Sequence, residues 1–192
     1  MILICYGTRP EHIKISPLLK EMGGIIPYKT LFTGQHTDLV KNINFDHILT
    51  IKDGKNRLDS VVQSCLNLED SIFEGITHIL VQGDTVSAYS LALAAFHRGI
   101  KVIHLEAGLR TYNLQNPYPE EAYRQMISRI SDINLCPTLF FLGLFRSNSS
   151  PIDNTLRLVI YLLKSIAFLF FFSIHKDACN KSSSDNYVYN IP

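Results

Sequence analysis

Acidic side chains at the ends of apolar runs are the residues of this 192-residue chain best placed to do chemistry. In "VIHLEAGLRT" (102–111) a strand-like run ends on Glu106, beside a permissive glycine and Arg110. In "QGDT" (82–85), Asp84 stands at a strand end and a helix start, where Asp84 or Thr85 could also serve as a helix cap. "NPYPEEAYRQ" (116–125) brings Glu120 and Glu121 just after Pro119, and Arg124 falls on the face of Glu120 at helical spacing. Glu121 is expected to be the outward-facing member, a surface ion-pair partner. "YGTRPEHIK" (6–14) turns a strand into a helix at Gly7-Thr8, with Pro10 in the first helical turn. Such a turn is expected to aim free N–H groups and the positive helix end at an anion, with Arg9 and Lys14 adding charge. Three acids (Asp84, Glu106, Glu120) and three cations (Arg9, Lys14, Arg124) in one cleft suit acid–base chemistry on a phosphate-bearing substrate. His104, inside a strand, reads as a hydrogen-bonded core histidine. His36 in "TGQH" (33–36) could line the cleft or cap the next helix.

Several chemistries lack their signatures. The chain has no G-x-G-x-x-G, no G-x-x-x-x-G-K-[ST] and no D-x-D, so neither a dinucleotide or P-loop site nor a metal site is expected. Cys5, Cys65, Cys136 and Cys179 are scattered without a C-x-x-C pair, which fits a reducing compartment. Eighteen basic against 17 acidic residues give no case for nucleic acid or an anionic membrane as partner. "MILICYG" lacks the basic start of a signal peptide and reads as a first buried strand, so a cytoplasmic protein is expected.

The elements that must position these residues alternate regularly up to about residue 138. "ILICY" (2–6), "ILVQ" (79–82), "VIHL" (102–105) and "INLC" (133–136) are short unbroken apolar runs, as expected of strands covered on both faces. Between Ile76 and Gly108 lies a nearly complete strand–helix–strand unit, whose crossover should be right-handed. The fold class read from this pattern is α/β, a Rossmann-like parallel sheet with helices on both faces. After Thr138 the alternation stops. All seven glutamates precede residue 122, and seven of the 11 phenylalanines follow residue 138. Residues 139–192 therefore read as an unrelated-looking apolar tail, with a single helix expected over 156–174.

"GTRPEHIKISPLL", "TGQH", "VQGDT", "HLEAGLRT" and "NPYPEEAYR" occur in the order and spacing of the non-hydrolysing UDP-N-acetylglucosamine 2-epimerases, and over residues 1–138 the chain resembles that family. The resemblance implies the first half of a glycosyltransferase-B-like fold, two Rossmann-like domains facing across a UDP-sugar cleft. It implies interconversion of UDP-GlcNAc and UDP-ManNAc: the C2 proton is removed, UDP is eliminated, and 2-acetamidoglucal and UDP recombine. No metal or redox cofactor is implied, and the assembly implied is a homodimer. Asp84, Glu106 and Glu120 match the family's catalytic acids; Arg9, Lys14 and Arg124 match its ligand-binding cations.

The departure comes after "CPT" (136–138). The family continues there into a second domain that supplies most uridine and diphosphate contacts and a histidine in a His-Arg-rich motif. No such motif follows here, and His175 in "SIHKDACN" lacks its surroundings, so the role is not transferred to it. Three readings follow: an epimerase by descent, truncated and inactive alone; a non-catalytic remnant; or a membrane-tethered nucleotide-sugar-binding module anchored by 156–174. Arg157 and Lys164 count against the last.

Overall fold

The computed structural model describes residues 1–34, 43–52 and 54–137, together with the backbone of 156–159. Its sheet is built from β1 (Ile2–Tyr6), β2 (Tyr28–Phe32), β3 (His47–Ile48), β4 (His78–Gln82), β5 (Lys101–Leu105), β6 (Ile133–Cys136) and β7 (Leu156–Val159). The strand order is β3-β2-β1-β4-β5-β6-β7, and every pairing is parallel. The helices are α1 (Arg9–Met22), α2 (Arg57–Leu66), α3 (Val86–His97) and α4 (Glu120–Ile130).

The apolar runs form strands because both faces of the sheet are covered. Ile2, Ile4 and Tyr6 alternate with Leu3 and Cys5 along β1. The first set packs with Ile15, Leu18 and Met22 of α1, the second with residues of α2 and α3 such as Val61 and Leu91. Fully buried side chains such as Leu3, Ile4, Leu18 and Leu91 would each contribute on the order of 1.5–3 kcal/mol on leaving water. This explains why the strands carry so few polar residues. α3 is nearly all small and apolar, "VSAYSLALAAFH", since it lies against the sheet between α2 and α4. Tyr89 of α3 stacks on Tyr123 of α4, with ring centroids 5.1 Å apart.

The chain leaves β1 toward β2 and β3, then crosses back to build β4 to β7 on the other side. The sheet therefore has a strand-order reversal between β1 and β4. In open parallel sheets the crevice at that reversal, outside the carboxyl ends, is where ligands bind.

Past the cysteine-ended β6, residues 156–159 depart from expectation. Instead of opening a helix, Leu156–Val159 runs as β7 in register with β6, Ile133 opposite Leu156 and Cys136 opposite Val159. The local reason is that "LRLV" alternates with period two, and the free edge of β6 offers a ready hydrogen-bonding ladder. The rest of the expected 156–174 helix lies outside the described residues. Among the described residues no helix is long and apolar enough to cross a membrane.

Candidate functional site

Four chain segments deliver charge to the carboxyl edge of β1, β4 and β5. The first is the β1–α1 turn. Thr8 is the N-cap of α1, and its hydroxyl accepts from the Glu11 N–H while Glu11 reaches back, a reciprocal capping box. Glu11 Oε2 accepts from both the Gly7 and the Thr8 N–H at 2.8 Å. This corrects the expectation of free peptide donors at this turn. The buried Glu11 carboxylate already occupies the cradle that an external anion would have used. The turn also lies tight against β2. A Cβ on Gly7 would stand 1.8 Å from Thr33 Oγ1, so only glycine fits there.

The second segment is the β4–α3 turn. Gly83 takes a left-handed backbone (φ 73°), which swings Asp84 out over the edge. Thr85, not Asp84, is the N-cap of α3, accepting from the Ala88 N–H at 3.2 Å. Thr85 Oγ1 also donates to Glu11 Oε1 at 3.3 Å, which ties the two turns together across the reversal. Asp84 is thereby released for another partner. Its Oδ2 accepts from Arg124 Nε at 2.6 Å.

Glu106 follows β5 at once and is itself left-handed (φ 66°). Its two oxygens lie 2.8 and 2.7 Å from Lys14 Nζ in α1. Oε2 also accepts from the amide of Gln82, the buried last residue of β4. The cation next to it in sequence, Arg110, turns the other way: Nη2 donates to Ser128 Oγ in α4 at 2.7 Å.

The fourth segment is the start of α4, reached through cis peptide bonds at Asn116–Pro117 and Tyr118–Pro119. Here the expected role of Glu121 is revised. Glu121 is not the outward member; it is fully buried. It accepts from the Thr111 and Tyr112 N–H groups at 3.0 and 3.2 Å, from Gln125 Nε2 at 2.9 Å and from Arg124 Nη1 at 3.2 Å. Burial pushes its carboxyl up, but these hydrogen bonds outweigh it and hold the group below the ordinary carboxylate range. The Glu120–Arg124 spacing sets only the helical phase and carries no sign of the loop that folds back over the helix start. Glu120 is half-buried at the first position of α4.

Of the six residues singled out by the sequence, four meet in pairs, Lys14 with Glu106 and Arg124 with Asp84. Arg9 is exposed at the start of α1, and neither it nor Glu120 joins either pair. Glu11 and Gln82 were missed as members of the site. The T-x-x-E spacing of Thr8 and Glu11 was the readable signal for the first; Gln82 carried none beyond its place at a strand end. His36 lies outside the described residues. Cys5, Cys65 and Cys136 are buried and in no disulfide, and Cys179 is outside the described residues. Among the described residues no group of three or more His, Cys, Asp or Glu side chains could hold a metal ion.

Fold and edge together define a Rossmann-like α/β protein whose charged cleft sits at the reversal of strand order. The chain belongs to the UDP-N-acetylglucosamine 2-epimerase family, whose model matches residues 23–140. It is 42% identical over 153 residues to a UDP-N-acetylglucosamine 2-epimerase of Campylobacter jejuni, covering 72% of this chain and 39% of that protein. Against the enzyme of the same description from Salmonella borreze it is 40% identical over 148 residues, with the same coverage of 72% and 39%. Among solved structures, the Neisseria meningitidis UDP-GlcNAc 2-epimerase bound to UDP-GlcNAc superposes with a TM-score of 0.73 at 32% identity, covering 91% of this chain and 50% of that one. The chain thus spans well under half the length of these sequence relatives.

Proposed function

We propose that this chain carries the first-domain half of a UDP-GlcNAc/UDP-ManNAc 2-epimerase site, with Asp84, Glu106 and Glu120 as its acids and bases. Arg9, Lys14 and Arg124 are the cations for the diphosphate. The observation that carries the reading is the meeting of Lys14 with Glu106 and of Arg124 with Asp84 at the strand-order reversal. It is supported by membership of the family and by the UDP-GlcNAc held in the Neisseria meningitidis relative. In this reading a carboxylate takes the C2 proton, the C1–O bond breaks, and UDP leaves with the bonding pair. A proton returned to the other face of C2, with UDP re-adding at C1, completes the inversion. The C2 hydrogen is weakly acidic, so the step needs a placed base and neutralised charge on the departing diphosphate.

Elimination also needs water kept from the glucal. In this reading the cleft has two walls, and the 192-residue chain tested alone is expected not to turn over. The test has two arms. In D2O with UDP-GlcNAc, a fusion of this chain's residues 1–137 to the remaining portion of the Campylobacter jejuni relative should form UDP-ManNAc bearing deuterium at C2. The 192-residue chain alone should not. A fusion that folds, binds UDP and leaves C2 protonated would refute the reading in favour of a non-catalytic binding module. A cytoplasmic location and a homodimeric assembly belong to the same reading, and fractionation and sedimentation would test them.

A further inference from the structure

His104 is fully buried in β5, two residues before Glu106. Its Nε2 lies 2.7 Å from the Gly83 carbonyl oxygen. A carbonyl can only accept, so Nε2 must carry a proton. Burial, together with the Arg110 charge, pushes the imidazole down to about 4 against the opposing pull of the Gly83 bond, so the ring is neutral around pH 7. A neutral ring has one N–H. Its position on Nε2 leaves Nδ1 unprotonated, an acceptor on a ring whose side-chain neighbour is the buried Asn134, paired with His104 across β5 and β6.

What this N–H holds is the peptide that launches Asp84. The Gly83 N–H donates to the Leu105 carbonyl of β5 at 2.9 Å, and the Gly83 carbonyl receives the His104 bond, also from β5. Both peptide groups of Gly83 are therefore fastened to the neighbouring strand, in a left-handed conformation. Asp84 follows directly, and its carboxylate is delivered to Arg124 Nε at 2.6 Å. Thr85 then caps α3, so the turn has little freedom on its far side either.

We propose that His104, fixed as the Nε2–H tautomer, is a positioning residue that locks the Gly83 carbonyl and through that peptide sets Asp84 against Arg124. Its catalytic meaning rests on the reading of Asp84 as a member of the epimerase acid set. The coupling itself does not, and it can be measured without turnover.

The experiment uses the full 192-residue chain labelled with 15N. Long-range 1H–15N correlation of the wild-type His104 ring should show a protonated Nε2 and a bare Nδ1. The Arg124 Nε–H resonance should stand apart in the wild type because of its short bond to a carboxylate, and move in Asp84→Asn. In His104→Leu it should move to the Asp84→Asn position, while His104→Gln, whose amide can donate to the same carbonyl, should return it toward the wild type. A His104→Leu protein that is folded with the Arg124 resonance unmoved would overturn the proposal. So would a wild-type ring protonated on Nδ1, and that measurement decides the matter if His104→Leu does not fold. Full turnover of the fusion carrying Asp84→Asn would remove the catalytic reading of Asp84 and leave this coupling standing, so the two failures are distinct.

Discussion

Lys14 Nζ stands within 2.8 Å of both carboxylate oxygens of Glu106, so the second turn of α1 and the end of β5 are joined by one ammonium ion. The Lys14 side chain is 46% exposed, and an ion pair this wet contributes little to stability, about 0–1 kcal/mol. Its geometry belongs to the cleft.

Glu106→Gln should therefore separate stability from activity. In the fusion described above, interconversion of UDP-GlcNAc and UDP-ManNAc is expected to fall by orders of magnitude, while the denaturation midpoint of the 192-residue chain changes by no more than about 1 kcal/mol equivalent. Retained turnover in a folded variant would remove Glu106 from the acid set.

Glu121→Ala should do the reverse of a surface mutation. It removes the acceptor of the partly buried Thr111 and Tyr112 N–H groups and frees one side of the Arg124 guanidinium. A donor left unpaired costs about 1–3 kcal/mol when buried and less where water reaches it, so a total loss of about 1–3 kcal/mol in urea unfolding is expected. A change under about 0.5 kcal/mol, the usual size at a surface site, would contradict the buried clamp.

Stability should depend on pH through His104. Unfolded, the imidazole takes its proton below its ordinary value of 6.5; folded, not until about 4, because burial disfavours the charged ring. Between those values the unfolded chain binds more protons, so stability is full above the window and falls as pH drops across it, by on the order of 3 kcal/mol. Asp84 and Arg110 also act on the ring, in opposite directions. His104→Gln should flatten this slope in a pH series of urea melts. An unchanged slope between pH 6.5 and 4.5 would place the dependence on other groups. The depressed Glu121 carboxyl contributes in the same direction, but only as pH falls below the ordinary carboxylate value.

Gly7→Ala should destabilise the chain, by about 1–3 kcal/mol or more, since its methyl would overlap Thr33 Oγ1 at 1.8 Å. Thr33→Ala in the same chain should recover part of the loss, because it removes the overlapping oxygen. No recovery in thermal melts would mean that the constraint at position 7 comes from elsewhere.

How far the sequence could be read follows from what each feature depends on. The four apolar runs became β1, β4, β5 and β6 with their ends moved by no more than one residue, because strands covered on both faces carry their signal in every position. β3 has only His47 and Ile48, too short to leave a pattern. β7 was missed because a four-residue alternation was absorbed into a longer apolar run. Within the site, Asp84 and Glu106 were legible because strand ends fix where a side chain emerges. Their partners were not, since Arg124 is 40 residues from Asp84 and Lys14 is 92 from Glu106. Glu121 was misplaced for the same reason: its donors come from a loop whose path no local spacing encodes.

The reciprocal cap at Thr8 and Glu11 has a consequence for how an anionic ligand would be felt. The Gly7 and Thr8 N–H groups before α1 are spent on an internal carboxylate, so an anion arriving at this edge would meet exposed side-chain cations in place of those two backbone donors. Attraction carried by exposed ammonium and guanidinium groups is screened over roughly 8 Å at physiological ionic strength. Recognition at this wall would then vary steeply with salt and could be retuned by single exchanges at positions 9 and 14, leaving the turn itself untouched.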